Sequence, residues 1–334
     1  LSTDTGGSGV ITLVVTGSTT QFITLGTITG LTTSFTNYFG TTSPITLNTN
    51  DKVGIVITRT DLLATPLVRV VAGNTSSTTP QILIGGNWSD YSTSTYDGIA
   101  GLVSTSGAIS GFAPSSTVVG STVYAIEPIT SAGNYAFLVG GNWNSTNKYL
   151  TMLNENGTTT TGFTNLFSNS GNVTIKAIEA GKIASGSNQF VYVGGSFDLA
   201  GSNNTNLVKL NLTGSQVTTF TTGVGPNGDV LAIKHHDNAN ETIQKEILVG
   251  GSFTQYNGTL SSKLVVLKDN RTNTAENGTI QVNQYACVPS ALGFNADVYA
   301  IEQTATNVLS NNEDYFLIGG NFTTYTTKTI LGFK

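Results

Sequence analysis

Charged side chains are scarce in this chain. Lys and Arg number 14 and Asp and Glu 19 among 334 residues, so that charged residues make up 10% of the sequence, against about a quarter in ordinary globular domains. The net charge is −5 and the cations are scattered, which argues against binding of nucleic acid, because that function needs a concentrated basic face. Thr, Ser, Asn and Gly replace the charges, as is typical of extracellular proteins and assembled particles.

Cysteine and long apolar runs are also lacking. Cys287 is the only cysteine, which excludes a disulfide within the chain and a cysteine-based metal cluster; its neighbours "QYACVPS" predict a buried, small apolar residue. No run reaches the roughly 18 apolar residues of a membrane span. The chain opens on "LSTDTGGSGV", without an initiator Met or a signal segment, and we expect it to be a processed product or a fragment of a longer protein.

Helical periodicity is absent, whereas internal repeats are present. A Gly-Gly doublet after an apolar strand recurs at spacings of 55, 54, 56 and 69 residues, beginning at Gly85, Gly140, Gly194, Gly250 and Gly319. A second marker, Val-x-Ala-Ile or a close variant, precedes each doublet by 17 to 21 residues, beginning at Val68, Val123, Ile175, Val230 and Val298. Two signals that repeat in phase indicate a repeat architecture.

Each repeat unit reads as four short strands rich in Val, Ile, Thr, Phe and Tyr. The first is the Val-x-Ala-Ile strand, the second ends in the doublet, and the third is an apolar stretch such as "NLVKLNLTG" from Asn206. The fourth carries a Phe, as in "GFTNLF" from Gly162, "VTTF" from Val217 and "LGFN" from Leu292. The sequence therefore predicts an all-β protein with a β-propeller of about five four-stranded blades in residues 66–334.

The doublets and an aromatic residue two positions further on are the candidate site residues, with a structural role. Glycine inside a strand usually marks a bulge or a close backbone approach, and the aromatic would fill the wedge between adjacent blades. These residues are Gly85, Gly86, Trp88, Gly140, Gly141, Trp143, Gly194, Gly195, Phe197, Gly250, Gly251, Phe253, Gly319, Gly320 and Phe322.

The repeat resembles a known family. "GGSFTQYNG" from Gly250, and "LVKLNLTGSQVTTF" followed by "GDVLAI", look like the "delta sixty" propeller repeats of bacterial and phage surface proteins, over about residues 67–334. The resemblance implies a propeller fold and a surface setting, and it implies no reaction. The chain departs from the family where Asp-Gly usually occupies the turn, since it reads "NENG", "NLTG" and "KDNR", which puts a cation or turn role tied to that Asp in doubt.

Residues 1–65 lack the doublet but still read as strands, and we expect a small, β-sandwich-like N-terminal module there. "NTNDKVGIVITRTDL" resembles a strand–turn–strand element of small β-modules in phage tail proteins. An alternative is that an N-terminal strand completes the last blade, whose fourth strand is missing. "TTSFTNYF" (Thr32 to Phe39) matches "TTGFTNLF" (Thr160 to Phe167) at six of eight positions, and closure would remove an exposed strand edge.

Catalytic and metal-ligating candidates are sparse. His235 and His236 are adjacent, would point to opposite faces of a strand, and are predicted to be surface histidines. Glu127, Glu179 and Glu302 recur after the Val-x-Ala-Ile strand, with Lys234 at the equivalent place in the fourth unit. A carboxylate that repeats unit by unit is expected to serve the fold, whereas glycoside hydrolysis needs two carboxylates about 5–10 Å apart across a cleft. We predict no catalytic residue, no cofactor and no metal.

The leading functional hypothesis is a non-enzymatic component of a virion, such as a phage tail, fibre or capsid decoration, acting in assembly or receptor contact. Its expected partners are other virion or surface proteins and a host-surface glycan or receptor, with no nucleic acid and no membrane span; a homo-oligomer within the assembly is left open. Receptor contact would fall on the loops "HHDNANETIQKE" from His235 and "QTATNVLSNNEDY" from Gln303. The alternatives are a bacterial cell-surface or secreted glycan-binding adhesion module and an extracellular carbohydrate-active enzyme.

Overall fold

The protein is all-β, as predicted: a computed structural model describes its fold over seventeen segments, and these contain strands and no helix. The described residues are 8–16, 20–29, 52–59, 68–72, 81–87, 98–103, 112–113, 122–131, 134–143, 149–167, 173–182, 188–199, 205–236, 246–269, 277–280, 293–303 and 316–326. The strands form small antiparallel sheets.

The chain forms two compact units, Leu1–Val123 and Tyr124–Lys334. The described residues of the first unit form two three-stranded sheets, in the orders β2-β1-β3 and β4-β5-β6. The strands are β1 Ser8–Thr16, β2 Thr20–Thr29, β3 Lys52–Arg59, β4 Val68–Ala72, β5 Gln81–Gly86 and β6 Ile99–Val103. The predicted module boundary after residue 65, Trp88 and the segment Thr32 to Phe39 all lie outside the described residues, so those predictions stand untested.

The second unit repeats one pattern, in which each Val-x-Ala-Ile strand pairs with the doublet strand and the doublet strand pairs with a third. The orders are β7-β8-β9, β10-β11-β12, β13-β14-β17 and, in the last repeat, β19-β20; two short pairs, β15-β16 and β18-β21, complete the set. The strands are β7 Val123–Ser131, β8 Asn134–Gly141, β9 Leu150–Asn154, β10 Thr174–Lys182, β11 Asn188–Asp198, β12 Thr205–Asn211, β13 Val230–His235, β14 Glu246–Gly251, β15 Gln255–Tyr256, β16 Thr259–Leu260, β17 Leu264–Lys268, β18 Gly293–Phe294, β19 Val298–Gln303, β20 Phe316–Gly320 and β21 Tyr325–Thr326.

The sheets of the second unit stack face to face in chain order. In β11, Val191 and Val193 face a buried cluster shared with the β7-β8-β9 sheet. Phe190 and Tyr192, which alternate with them, face a second cluster shared with β13, β14 and β17. A third cluster joins that sheet to β19 and β20. A central strand of this unit is thus buried on both faces, which explains why the doublet strands are continuously apolar rather than alternating.

A bulge accounts for the Val-x-Ala-Ile marker. The pairing register shifts between Val230 and Ala232, and equally at the corresponding places in β10 and β19. The extra residue of a bulge shifts the alternation of side chains between the two faces of the strand by one residue. As a result Val230 and Ile233, three positions apart, both face the preceding sheet, whereas Ala232 faces the next one.

The predicted fourth strand is wrong in two units, whereas in a third unit the predicted "LGFN" from Leu292 contains a short strand, β18, at Gly293–Phe294. Gly162–Phe167 and Val217–Phe220 form turns and irregular chain. After the third strand the chain reverses at Gly157 or Gly214, both with positive φ, and touches that strand through one bridge, Leu153 with Thr159 or Leu210 with Gln216. The Asn at the end of the third strand stabilises the turn with its side chain; Asn211 Oδ1 accepts from Ser215 N at 2.9 Å. The chain then leaves for the next sheet.

Candidate functional site

The first glycine of each doublet lies against the next repeat. A Cβ built at Gly140 would lie 2.5 Å from Ile175 Cγ2, and one at Gly250 would lie 2.5 Å from Val298 Cγ1. Gly194 has an equally close neighbour in Val230 Cγ1. The contacted residue is in each case the first position of the next Val-x-Ala-Ile strand, so the same atom-level contact joins three successive pairs of sheets.

Gly319, in the last described repeat, differs from the other three. Among the residues that the structure describes, a Cβ at this position would meet only Ala300 Cβ, at 3.8 Å, which is ordinary van der Waals contact. Leu317, two residues earlier on the same strand, is exposed. No described residue of a following sheet packs on Gly319 as Val298 packs on Gly250.

The second glycine of the doublet serves its own sheet. Cβ atoms at Gly195, Gly251 and Gly320 would each come well within 3.0 Å of a backbone carbonyl oxygen, that of the residue just before the Val-x-Ala-Ile marker. Gly251 N donates to Lys263 O at 3.0 Å, Gly141 N to Tyr149 O at 2.9 Å, and Gly86 N to Gly98 O at 2.8 Å. Gly85 pairs with Arg69 within the first unit.

Three of the aromatic residues after the doublets, Trp143, Phe197 and Phe253, are buried, and Phe322 is partly buried. Phe197 belongs to the cluster between the β7-β8-β9 and β10-β11-β12 sheets, and Phe253 to the cluster on the other face of the latter. Phe322 packs on Phe294, with 4.2 Å between ring centroids.

The recurring carboxylates reach from one repeat to the next. Glu127 Oε1 accepts a hydrogen bond from Ala180 N at 3.2 Å, and Glu179 Oε1 accepts one from His235 N at 3.1 Å. The acceptor and donor are about one repeat apart in both cases. These carboxylates therefore satisfy backbone N–H groups near the end of the following Val-x-Ala-Ile strand.

Lys234 replaces the carboxylate in the fourth repeat and binds its neighbours on both sides. Its Nζ lies 3.4 Å from Glu179 Oε1 and 3.1 Å from Glu302 Oε1. Burial raises the pKa of Glu179 above its ordinary value of 4.5, although the charge of Lys234 opposes the rise. Burial alone would lower the pKa of Lys234, but the carboxylates of Glu179 and Glu302 outweigh it and raise that pKa well above 10.5.

A second ion pair is fully buried, and sequence reasoning missed it. Lys209 Nζ, on β12, lies 2.7 Å from Oδ1 and 2.8 Å from Oδ2 of Asp269, which follows β17. The hydroxyl of Tyr192 donates to Asp269 Oδ2. Phe190 covers the other side of Lys209, with 3.7 Å from Nζ to the ring centroid, and Phe220 closes the site. The one available signal was a lysine within an apolar strand, "NLVKLN".

The prediction that His235 and His236 are surface residues is wrong, since they are 1% and 9% exposed. β13 lies between two sheets, and its final residues remain covered by aromatic side chains of both. The His235 ring stacks on the Tyr192 ring, with 6.2 Å between ring centroids. The His236 ring contacts the Phe316 ring edge-on, with 5.3 Å between centroids. The two rings thus contact opposite sheets. Most of the two predicted receptor loops, residues 237–245 and 304–315, lies outside the described segments.

Within the described part of the chain, no three His, Cys, Asp or Glu side chains group so as to hold a metal ion. The same segments contain no helix of the length and hydropathy that crossing a membrane requires. No protein-family model, curated protein or solved structure matches the chain.

Proposed function

We propose that residues 66–334 form a β-propeller and that the protein is a non-enzymatic structural or attachment component of a virion. The observation that carries the proposal is the repeated contact between the first doublet glycine and the first residue of the next Val-x-Ala-Ile strand. The same contact relates three successive pairs of sheets. A constant step between sheets is what a ring of blades around one axis requires.

The use of the polar side chains supports a structural role over a catalytic one. Glu127 and Glu179 each accept a hydrogen bond from the backbone of the next repeat, and Lys234 bridges Glu179 and Glu302. A residue committed to joining repeats is poorly placed to move protons in a reaction. We therefore assign these carboxylates to the cohesion of the sheets.

Two observations support the virion setting, namely the composition and the resemblance to surface-protein repeats. Charged residues make up 10% of the chain, so its stability and solubility depend little on interactions that salt screens. A particle component meets variable salt outside a cell, and a surface of hydroxyl and amide groups suits that setting.

Quantitative mass spectrometry of purified particles tests the functional proposal. We expect the protein in particles at a fixed ratio to other structural proteins, through a density gradient. Its presence in a bacterial envelope fraction and its absence from particles would contradict the proposal and favour the adhesion module.

A polysaccharide screen tests the non-enzymatic part. The wild-type protein, Glu127→Gln and Glu302→Gln are incubated with a panel of polysaccharides, and released reducing ends are measured. We expect no release above the background by any of the three. Release by the wild type that falls in either variant would overturn the assignment.

A further inference from the structure

We propose that Lys209 and Asp269 join in an intramolecular isopeptide bond that covalently links the β10-β11-β12 sheet to the β13-β14-β17 sheet. This modification site is independent of the proposed function, since it rests on the contacts of one buried cluster.

The reacting groups are already in contact. Lys209 Nζ lies 2.7 and 2.8 Å from the two carboxyl oxygens of Asp269, so the carboxyl carbon bonded to them lies at about the 3–3.5 Å separation from which attack can start. The Lys209 and Asp269 side chains are 6% and 0% exposed. The nucleophile and electrophile are therefore held together in the folded protein.

The surroundings of the pair favour condensation over a permanent pair of charges. Phe190, Tyr192 and Phe220 surround Lys209 Nζ, and ionised groups in such an apolar environment are costly. Transfer of one proton from Nζ to Oδ1, along their hydrogen bond, converts the ammonium and carboxylate into an amine and a carboxylic acid. A desolvated, neutral lysine is an effective nucleophile.

The step balances without a further reagent. The Nζ lone pair forms a bond to Cγ of Asp269, and negative charge develops on Oδ2, which accepts the hydrogen bond of Tyr192. A hydroxyl donor at that place stabilises the tetrahedral intermediate. The Cγ–Oδ1 bond then breaks, Oδ1 leaves as water with a second proton from Nζ, and Oδ2 becomes the amide oxygen. Nothing is oxidised or reduced.

The ion pair of Lys176 and Asp229, which also joins two repeats, provides the matched control. These two side chains are 24% and 33% exposed. Water solvates the charges of this pair, so that we expect it to stay an ion pair.

Mass spectrometry of the denatured full-length protein tests the proposal. We expect the wild type and Lys176→Arg to be lighter than their sequence masses by about 18 Da, the mass of the water lost in this modification. Lys209→Arg and Asp269→Ala should have their full sequence masses. After trypsin, the wild type should yield one branched peptide joining residues 183–234 to residues 269–271, because Lys209 is no longer a cleavage site.

A wild-type mass equal to the sequence mass would overturn the proposal, and this result does not depend on whether any variant folds. A mass deficit that persists in Lys209→Arg would overturn it as well, because the water would then have been lost elsewhere.

Discussion

At Gly194 and Gly250 a hydrogen atom lies where the next sheet leaves no room for a methyl group. The neighbouring atoms belong to Val230 and Val298 and lie close to their own backbone, so they cannot swing aside as the end of a long side chain would. Glycine in a strand costs about 0.5–1 kcal/mol relative to alanine. The close stacking of successive sheets offsets that cost at these positions.

Gly250→Ala should lower the free energy of unfolding by about 1–3 kcal/mol, the usual effect of overpacking a core. Gly319→Ala is the comparison, because among the described residues its new methyl group would meet only Ala300, at 3.8 Å. In the proposed ring the first repeat covers this face, so a loss in Gly319→Ala supports a closed ring and no loss supports an open row. Urea unfolding of both variants measures the difference. An unchanged free energy of unfolding in Gly250→Ala would contradict the stacking role of the first glycine.

The same contact predicts that the effects of Gly250→Ala and Val298→Ala on the free energy of unfolding are not additive. Val298→Ala removes the Cγ1 atom that the Gly250→Ala methyl group would strike, so the double variant should be more stable than the sum of the single losses predicts. A coupling energy of at least about 0.5 kcal/mol is expected for residues in contact. A coupling energy near zero would show that the two residues do not touch.

Glu179 gives a pH-dependent prediction. Its pKa is raised by burial above 4.5, so the folded state binds this proton more tightly than the unfolded state does. Its contribution to stability is fully present below pH 4.5 and is lost as the pH rises through the higher folded-state value. Glu179→Gln removes that loss, and the variant should gain stability relative to the wild type as the pH rises from about 4 to 7.

Urea unfolding over that pH range measures the gain, with Glu155→Gln on an exposed turn as the control for removing one negative charge. Lys234 stays protonated throughout, since its pKa is raised. A stability difference between Glu179→Gln and the wild type that is constant with pH would contradict the assignment.

At the scale of elements, an asparagine three residues before the Val-x-Ala-Ile strand ties that strand to the turn after the doublet. Asn227 Oδ1 accepts from Thr254 N at 2.8 Å and from Gln255 N at 2.9 Å, and its Nδ2 donates to Thr254 Oγ1 at 3.1 Å. Asn295 makes the same three bonds to Thr323 and Thr324 in the next repeat. The repeat is therefore defined by polar contacts as well as by glycine.

Asn227→Ala should lower the free energy of unfolding by about 1–3 kcal/mol, because two backbone N–H groups lose their acceptor. Asn227→Asp keeps a side-chain acceptor and loses only the donation to Thr254, so its effect should be smaller. Thermal or urea unfolding of the two variants distinguishes them. Equal losses would show that the amide donor, rather than the acceptor, matters.

Several elements could be predicted from the sequence, and the reasons are local. The all-β class and the paired first and second strands follow from β-branched runs that repeat in phase with the doublets. The fourth strand was predicted wrongly at Gly162–Phe167 and Val217–Phe220, because these Thr-containing sequences suit a strand, whereas the turns at Gly157 and Gly214 send the chain to the next sheet. The burial of His235 and His236 depends on aromatic residues from other repeats, which no local pattern reveals.

The buried pair of Lys209 and Asp269 was unpredictable for a related reason. The two residues are far apart in the sequence, and the lysine does not recur, since the equivalent places of the neighbouring third strands hold Met152 and Val266. Their contact exists only because β12 and the end of β17 meet across a sheet boundary. The recurring Glu127 and Glu179, by contrast, could be assigned to the fold because recurrence itself indicates a role in every repeat.

At the scale of the whole molecule, low charge predicts low sensitivity to salt. With 14 cationic and 19 anionic side chains in 334 residues, few interactions weaken as the Debye length falls from about 10 Å at 0.1 M to about 3 Å at 1 M. The midpoint of thermal unfolding should therefore change little between these concentrations of NaCl, which scanning calorimetry can measure. A large fall would show that exposed ion pairs hold the sheets together.

The stacking of successive sheets about a common axis is tested most directly by an experimental structure of the full chain, from crystals or cryo-electron microscopy. We predict sheets arranged as a ring over residues 66–334, with the Val-x-Ala-Ile strands nearest the axis and Gly140, Gly194 and Gly250 each covered by the next sheet. Sheets in an open row, or doublets that face solvent, would contradict the proposal.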